Sequence, residues 1–152
     1  MTDVDDFTAF VRDFDRPLRQ ALIPLAGVRG AHDAASDAFS YAWEHWERIS
    51  AMANPRGYVY TAARRYARRK PSTAVPIEVA GTAELPDVEP RLVAALGELS
   101  EMQCTVVYLV EGCGWGLTDA GDLLGISIST VRSHLVRGMT RLRTILEVTN
   151  GV

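Results

Sequence analysis

"GISISTVRSHLVRGMTRLR", residues 125–143, decides how the rest of the chain is read. It opens on a glycine and offers Ser127 as a helix cap. Val131, Leu135, Leu142 and Ile145 then recur at helical intervals with Met139 alongside, so one face is apolar. Ser129, Thr130, Arg132, Ser133 and Arg137 fall on the opposite face, with His134 at its edge. The stretch holds four arginines and no acid, within a chain of formal net charge -3 and pI ≈ 5.6. Guanidinium groups crowded on one face repel unless an anion neutralises them. Together with hydroxyls they are the donors that suit phosphate oxygens and purine edges. A solvated basic face is the plainer alternative, and His134 is open to phosphate, base or water.

The residues before this helix complete the pattern. "LTDAGDLL", residues 117–124, predicts a short helix, and Gly125 then takes the turn position where a left-handed backbone is inexpensive. Helix, glycine turn and helix is the geometry of a helix-turn-helix unit, whose second helix enters the major groove. Gly121 inside the first helix predicts a close helix crossing. Upstream, "RLVAALGELS" aligns Leu92, Leu96 and Leu99, and Ser100 caps "EMQCTVVYLVEG", whose apolar face carries Met102, Val106, Leu109 and Val110 until the glycines of "EGCGWG".

The first part of the chain also reads as helices. Phe7, Phe10, Val11, Phe14, Leu18, Leu22 and Leu25 form one amphipathic stripe, with Pro17 a candidate interruption and Pro24 the expected end. A second stripe runs through Ala35, Phe39, Ala42, Trp43 and Trp46, with Asp33 as a cap or first-turn residue. Asn54 and Pro55 open a third helix, "RGYVYTAARRYARRK", which Pro71 stops. Four prolines and small or acidic residues between 71 and 90 predict an extended linker, spanning at most roughly 65 Å. No strand pattern of useful length appears. The expected fold is therefore all-α: residues 1–70 and 91–152 as two small helical domains, joined by the acidic linker 71–90, with the helix-turn-helix in the second.

Charge is segregated along these pieces. Residues 1–47 carry -5, residues 48–70 carry +7 with no acid, residues 71–90 carry -4 and the remainder -1. Two basic clusters on an acidic chain point to local contact with a polyanion. In the first, arginine interleaved with Tyr58, Tyr60 and Tyr66 is what unpaired bases and their phosphates require, although each tyrosine fits a core equally well. No apolar run approaches the roughly 18 residues of a membrane span, and the acidic start "MTDVDDF" is unlike a secretory signal, so the cytoplasm is the expected compartment. Cys104 and Cys113 have no metal-ligand spacing and read as plain thiols. No catalytic constellation, metal site or cofactor motif is found, so an enzyme is not expected.

At residues 96–146 the sequence resembles the carboxy-terminal domain of the small two-domain sigma factors of bacterial RNA polymerase, the extracytoplasmic-function type. Leu124, Gly125, Ile126, Ser127, Thr130, Val131, Arg132, Ser133, Leu135, Arg137, Leu142 and Arg143 match that family's pattern. The resemblance implies upstream promoter contact by Ser129, Thr130, Arg132, Ser133, His134 and Arg137. "GAHDAASDAFSYAWEHW" is similar to the family's polymerase-docking helix, which implies that Asp33, Ser36, Asp37, Phe39 and Trp43 meet the clamp helices of the largest subunit. "NPRGYVYTAARRYARRK" resembles the helix that opens the downstream element, implying DNA contact by Arg64, Arg65, Arg68 and Arg69. The family pattern is departed from at Ser36, Tyr58-Val59, Arg64-Arg65, Asp119-Ala120-Gly121 and His134.

The implied function is that of a promoter-specificity subunit. Its partners would be core polymerase, through the clamp helices and the flap of the second-largest subunit, promoter DNA and an anti-sigma factor. A stand-alone helix-turn-helix regulator is one alternative, because "STVRSHL" also resembles LuxR-type regulators. A sigma-like adaptor acting by protein interaction is the other.

Overall fold

The computed structural model describes residues 2–69 and 90–150, with side chains to residue 148. The linker expected over 71–90 lies outside the described residues except for Pro90. Among the described residues seven α-helices form and there is no strand. None of these helices is long and apolar enough to cross a membrane.

Helix α1, Asp3–Glu44, starts on a capping box in which Thr2 Oγ1 accepts from the Asp5 amide at 3.2 Å. Asp3, Asp5 and Asp6 place negative charge at its positive end. Pro24 was expected to end this helix and does not. The helical run passes both Pro17 and Pro24, because the buried stripe of Phe14, Leu18, Ala21 and Leu22 holds the turns around them. The break falls instead at Gly27, where φ is 75° and ψ 178°, a conformation open to glycine and strained for any L side chain.

That single residue turns one helix into a hairpin. Phe7 and Trp43 would stand about 54 Å apart along a straight helix at 1.5 Å per residue, yet their ring centroids lie 5.1 Å apart. Phe10 and Phe14 meet Phe39 edge-on, and Phe10 meets Trp46, so the two halves run antiparallel. Asp33 therefore lies within the returning half and is not a cap.

Helix α2, Trp46–Ser50, buries Trp46 and Ile49 beneath the hairpin. Helix α3, Pro55–Arg69, is capped as expected, the Gly57 amide donating to Asn54 Oδ1 at 3.1 Å. It lays Val59, Tyr60, Ala63 and Ala67 onto α1.

The second module comprises α4, Pro90–Gly97; α5, Glu101–Val107; α6, Leu117–Leu124; and α7, Ile128–Asn150. Ser100 and Gln103 form the capping box of α5, which runs on through a π turn, Tyr108–Gly112. Leu142 of α7 packs with Leu96, Leu99, Cys104 and Val107, while Val131 packs with Val106 and Ala120. Burial pushes the Cys104 thiol up to about 11, which keeps it protonated, and Cys113 is likewise a free, half-buried thiol raised mainly by burial.

The modules close on each other. Leu109 and Leu123 of the second are buried in the same core as Phe14 and Leu22 of the first. Trp115 Nε1 donates to Gln20 Oε1 at 3.1 Å, and Asn54 Nδ2 donates to the Asp122 carbonyl at 2.6 Å.

Candidate nucleic-acid interface

The α6–turn–α7 unit is built by short-range chemistry. Gly125 closes α6 with φ 71°, and Ser127 Oγ accepts from the Thr130 amide at 3.1 Å to start α7. The crossing between the two helices is tight at Gly121. A Cβ there would lie 2.8 Å from the Ile126 carbonyl oxygen and 3.4 Å from Val131 Cγ2, so hydrogen is the only side chain that fits without movement. Val131 is fully buried beneath this crossing, and that fixes which face of α7 is left outward.

The outward face carries Ser129, Arg132, Ser133 and Arg137, all exposed. Arg141 and Arg143 extend it, and Ile128 and Val136 are exposed beside them. Among the described residues none of these four arginines forms an ion pair with an acid. Thr130 is half-buried with its hydroxyl 2.8 Å from that of Ser127, so it serves the cap as well as the surface. His134 is half-buried with Nδ1 turned inward and unpartnered, which makes it the least available of the six residues expected to meet DNA.

The basic helix α3 is divided between two faces. Arg65 and Arg69 line a cleft of about 170 Å³ together with Tyr41, Tyr58, Thr61 and Tyr66. The Arg69 guanidinium stands 5.9 Å from the Tyr66 ring centroid. At the other end of the cleft, Arg48 Nη2 donates to the hydroxyls of Tyr41 at 3.2 Å and Tyr58 at 3.3 Å. The Tyr58 hydroxyl is held below its ordinary pKa by its hydrogen bond with Tyr41 and by the donation from Arg48. Aromatic rings rimmed by guanidiniums can stack an unpaired base while holding its phosphates.

Arg64 and Arg68, one helical position away, point elsewhere. Arg68 Nη2 donates to Glu101 Oε1 and Oε2 at 2.7 and 2.9 Å, and Arg64 Nη2 donates to the same Oε1. The four arginines expected to act together are thus split into an open pair and a paired one. Tyr60 is 2% exposed, and burial pushes its hydroxyl up to about 12, so it is core and not a platform for a base.

Of the residues expected to dock on polymerase, Asp33, Ser36 and Trp43 are exposed and Asp37 is half-exposed along one side of the returning half of α1. Phe39 is not on that surface. It is 9% exposed and packed against Phe10 and Phe14, because its position in the apolar stripe faces the hairpin's other half. Tyr41, Arg48 and Glu101 were missed by sequence reasoning. Tyr41 and Arg48 lie seven residues apart, close to two helical turns, which was the available signal. No local signal marks Glu101.

Residues 95–144 match the family model for sigma-70, region 4. The fold as a whole is similar to that of a solved structure, the sigma factor RpoE in complex with the anti-sigma factor NepR from Bartonella quintana. The TM-score is 0.60 at 20% sequence identity, covering 94% of this chain and 98% of that one. No curated protein matches the chain.

Proposed function

We infer that this chain, a sigma-70-type protein that carries region 4 over residues 95–144, is the promoter-specificity subunit of a bacterial RNA polymerase. It is of the small, two-domain, extracytoplasmic-function type. The observation that carries this reading is the outward face of α7: exposed arginines and serines without an acid among them, on a helix aimed by a region 4 turn. In this reading Ser129, Arg132, Ser133 and Arg137 meet the upstream promoter element in the major groove. The cleft between Tyr41, Tyr58, Tyr66, Arg65 and Arg69 takes the unpaired downstream strand. Asp33, Ser36, Asp37 and Trp43 dock on the largest subunit of the core enzyme, which holds both DNA-binding surfaces in register with the two promoter elements.

The subunit performs no covalent chemistry of its own and works in the cytoplasm, where polymerase is. Binding to DNA without polymerase is weak, because an acidic chain repels the duplex until its basic clusters are oriented by the core enzyme. The sigma factor of similar fold was solved with an anti-sigma factor, and an inhibitory partner of that kind fits this chain's exposed Trp43 and Val136. Reconstitution with core polymerase on a library of genomic fragments tests the reading. Initiation at fragments sharing a two-part motif is expected. Operator binding without polymerase would replace it with a stand-alone regulator, and polymerase binding without initiation would replace it with an adaptor.

A further inference from the structure

The +7 segment 48–70 contains no acid, yet two of its guanidiniums are neutralised. The anion is Glu101, in the first turn of α5, supplied by the other module from 33 residues away in sequence. Arg64 is half-buried, its side chain 24% exposed, while Glu101 is more open at 36%. The same closure buries Leu109 and Leu123 and forms the Trp115–Gln20 and Asn54–Asp122 hydrogen bonds. A carboxylate held by two guanidiniums presents the oxygen pair that a nucleic-acid phosphate would present to them. Carboxylate and phosphate therefore compete for one position.

We propose that Glu101 is an internal phosphate mimic that latches the second module over α3, so that the free chain is closed and Arg64 and Arg68 reach nucleic acid only when the modules part. This rests on the reading of α3 as a DNA-contacting helix, and it adds a built-in restraint that requires no other protein. Arg65 and Arg69 remain open at their cleft in the closed form. The latch therefore lowers affinity without abolishing it. Opening adds Arg64 and Arg68 to that cleft, so apparent affinity rises with the fraction of molecules that are open, and removal of a part-exposed ion pair at the strong end of its range shifts the open-to-closed ratio by roughly fivefold.

The test uses the full chain, a fluorescein-labelled 20-nucleotide single-stranded DNA as the probe, and small-angle scattering for size. Glu101→Gln is expected to bind the probe about fivefold more tightly than the parent, with a larger radius of gyration and unchanged helicity by circular dichroism. Glu98→Gln, an exposed acid three residues earlier, makes the same change in net charge and is expected to alter neither quantity. The proposal is overturned if Glu101→Gln keeps the parent's affinity and size, if it expands without gaining affinity, or if Glu98→Gln gains as much. Transcription with core polymerase separates the two levels. No initiation alongside the affinity gain sinks the promoter-subunit reading and leaves the latch. Initiation without the gain sinks the latch alone.

Discussion

The same substitution, glycine to alanine, should have opposite effects at two positions of the second module. At Gly97, the last residue of α4, a Cβ meets nothing within 4 Å. The change there chiefly reduces the freedom of the unfolded chain and is expected to stabilise by about 0.5–1 kcal/mol. At Gly121 the helical preference for alanine favours the variant by about 1 kcal/mol. Against it stands a Cβ placed 2.8 Å from the Ile126 carbonyl oxygen. That oxygen belongs to the backbone of the turn and has no flexible end to move aside. Overpacking of this kind costs roughly 1–3 kcal/mol, so Gly121→Ala should be destabilised by as much as about 2 kcal/mol net. The relaxation route matters more than the sum, since the atoms that must move are those that aim α7. Urea denaturation measures the stability difference, and promoter binding by the reconstituted polymerase measures the aim. Promoter affinity should fall by more than the stability loss explains. A Gly121→Ala protein that is as stable as the parent and binds promoter DNA equally well would refute the reasoning.

Three further outcomes are expected. Phe39→Ala should cost about 3–5 kcal/mol of stability, as a cavity in the hairpin core, whereas Trp43→Ala should leave the melting temperature within a few degrees and weaken binding to core polymerase; thermal melts and a pull-down separate the two. Arg65→Ala and Arg69→Ala should each weaken single-stranded DNA binding and reduce the salt slope of its logarithm by about 0.7 for each phosphate no longer neutralised, read by anisotropy from low to moderate salt. Burial alone would raise the Glu101 carboxyl, but hydrogen bonds and charge from Arg64 and Arg68 outweigh it and hold it below the ordinary value. Among the described residues, the Tyr60 hydroxyl also interacts with it. Glu101 therefore favours the closed form above the ordinary carboxylate pKa and loses that contribution as pH falls through its lowered value. Expansion on acidification should be seen by small-angle scattering in the parent and be weaker in Glu101→Gln.

The parts of this molecule that were legible in its sequence are those whose causes lie within about four residues. Asn54, Ser100 and Ser127 each accept from a neighbouring amide and Gly125 supplies the left-handed turn that ends α6, as their positions imply. The inward stripe of α7 was readable for the same reason, as was the need for a small residue at Gly121. The proline at 24 misled because a missing donor and a ring clash are local costs. The packing of Leu18 and Leu22, which outweighs them, is tertiary. Gly27 carries no signal distinguishing it from Gly30 until the returning half of α1 is seen to pack back on the first. Phe39 matches a docking pattern, although its own periodicity places it with the core residues. The pairing of Glu101 with Arg64 and Arg68, and of Trp115 with Gln20, joins residues 33 to 95 positions apart across two modules. No period or spacing encodes such a contact.

In the proposed function, the arginines of α7 direct a polymerase to particular DNA. Run-off transcription by core polymerase, with the parent chain and with the Arg132→Glu and Arg137→Glu double variant, tests it most directly. Both positions are exposed and free of ion pairs among the described residues, so the variant should fold and bind the core enzyme as the parent does. Specific transcripts should disappear while polymerase binding persists. Undiminished transcription from the same start sites would contradict it.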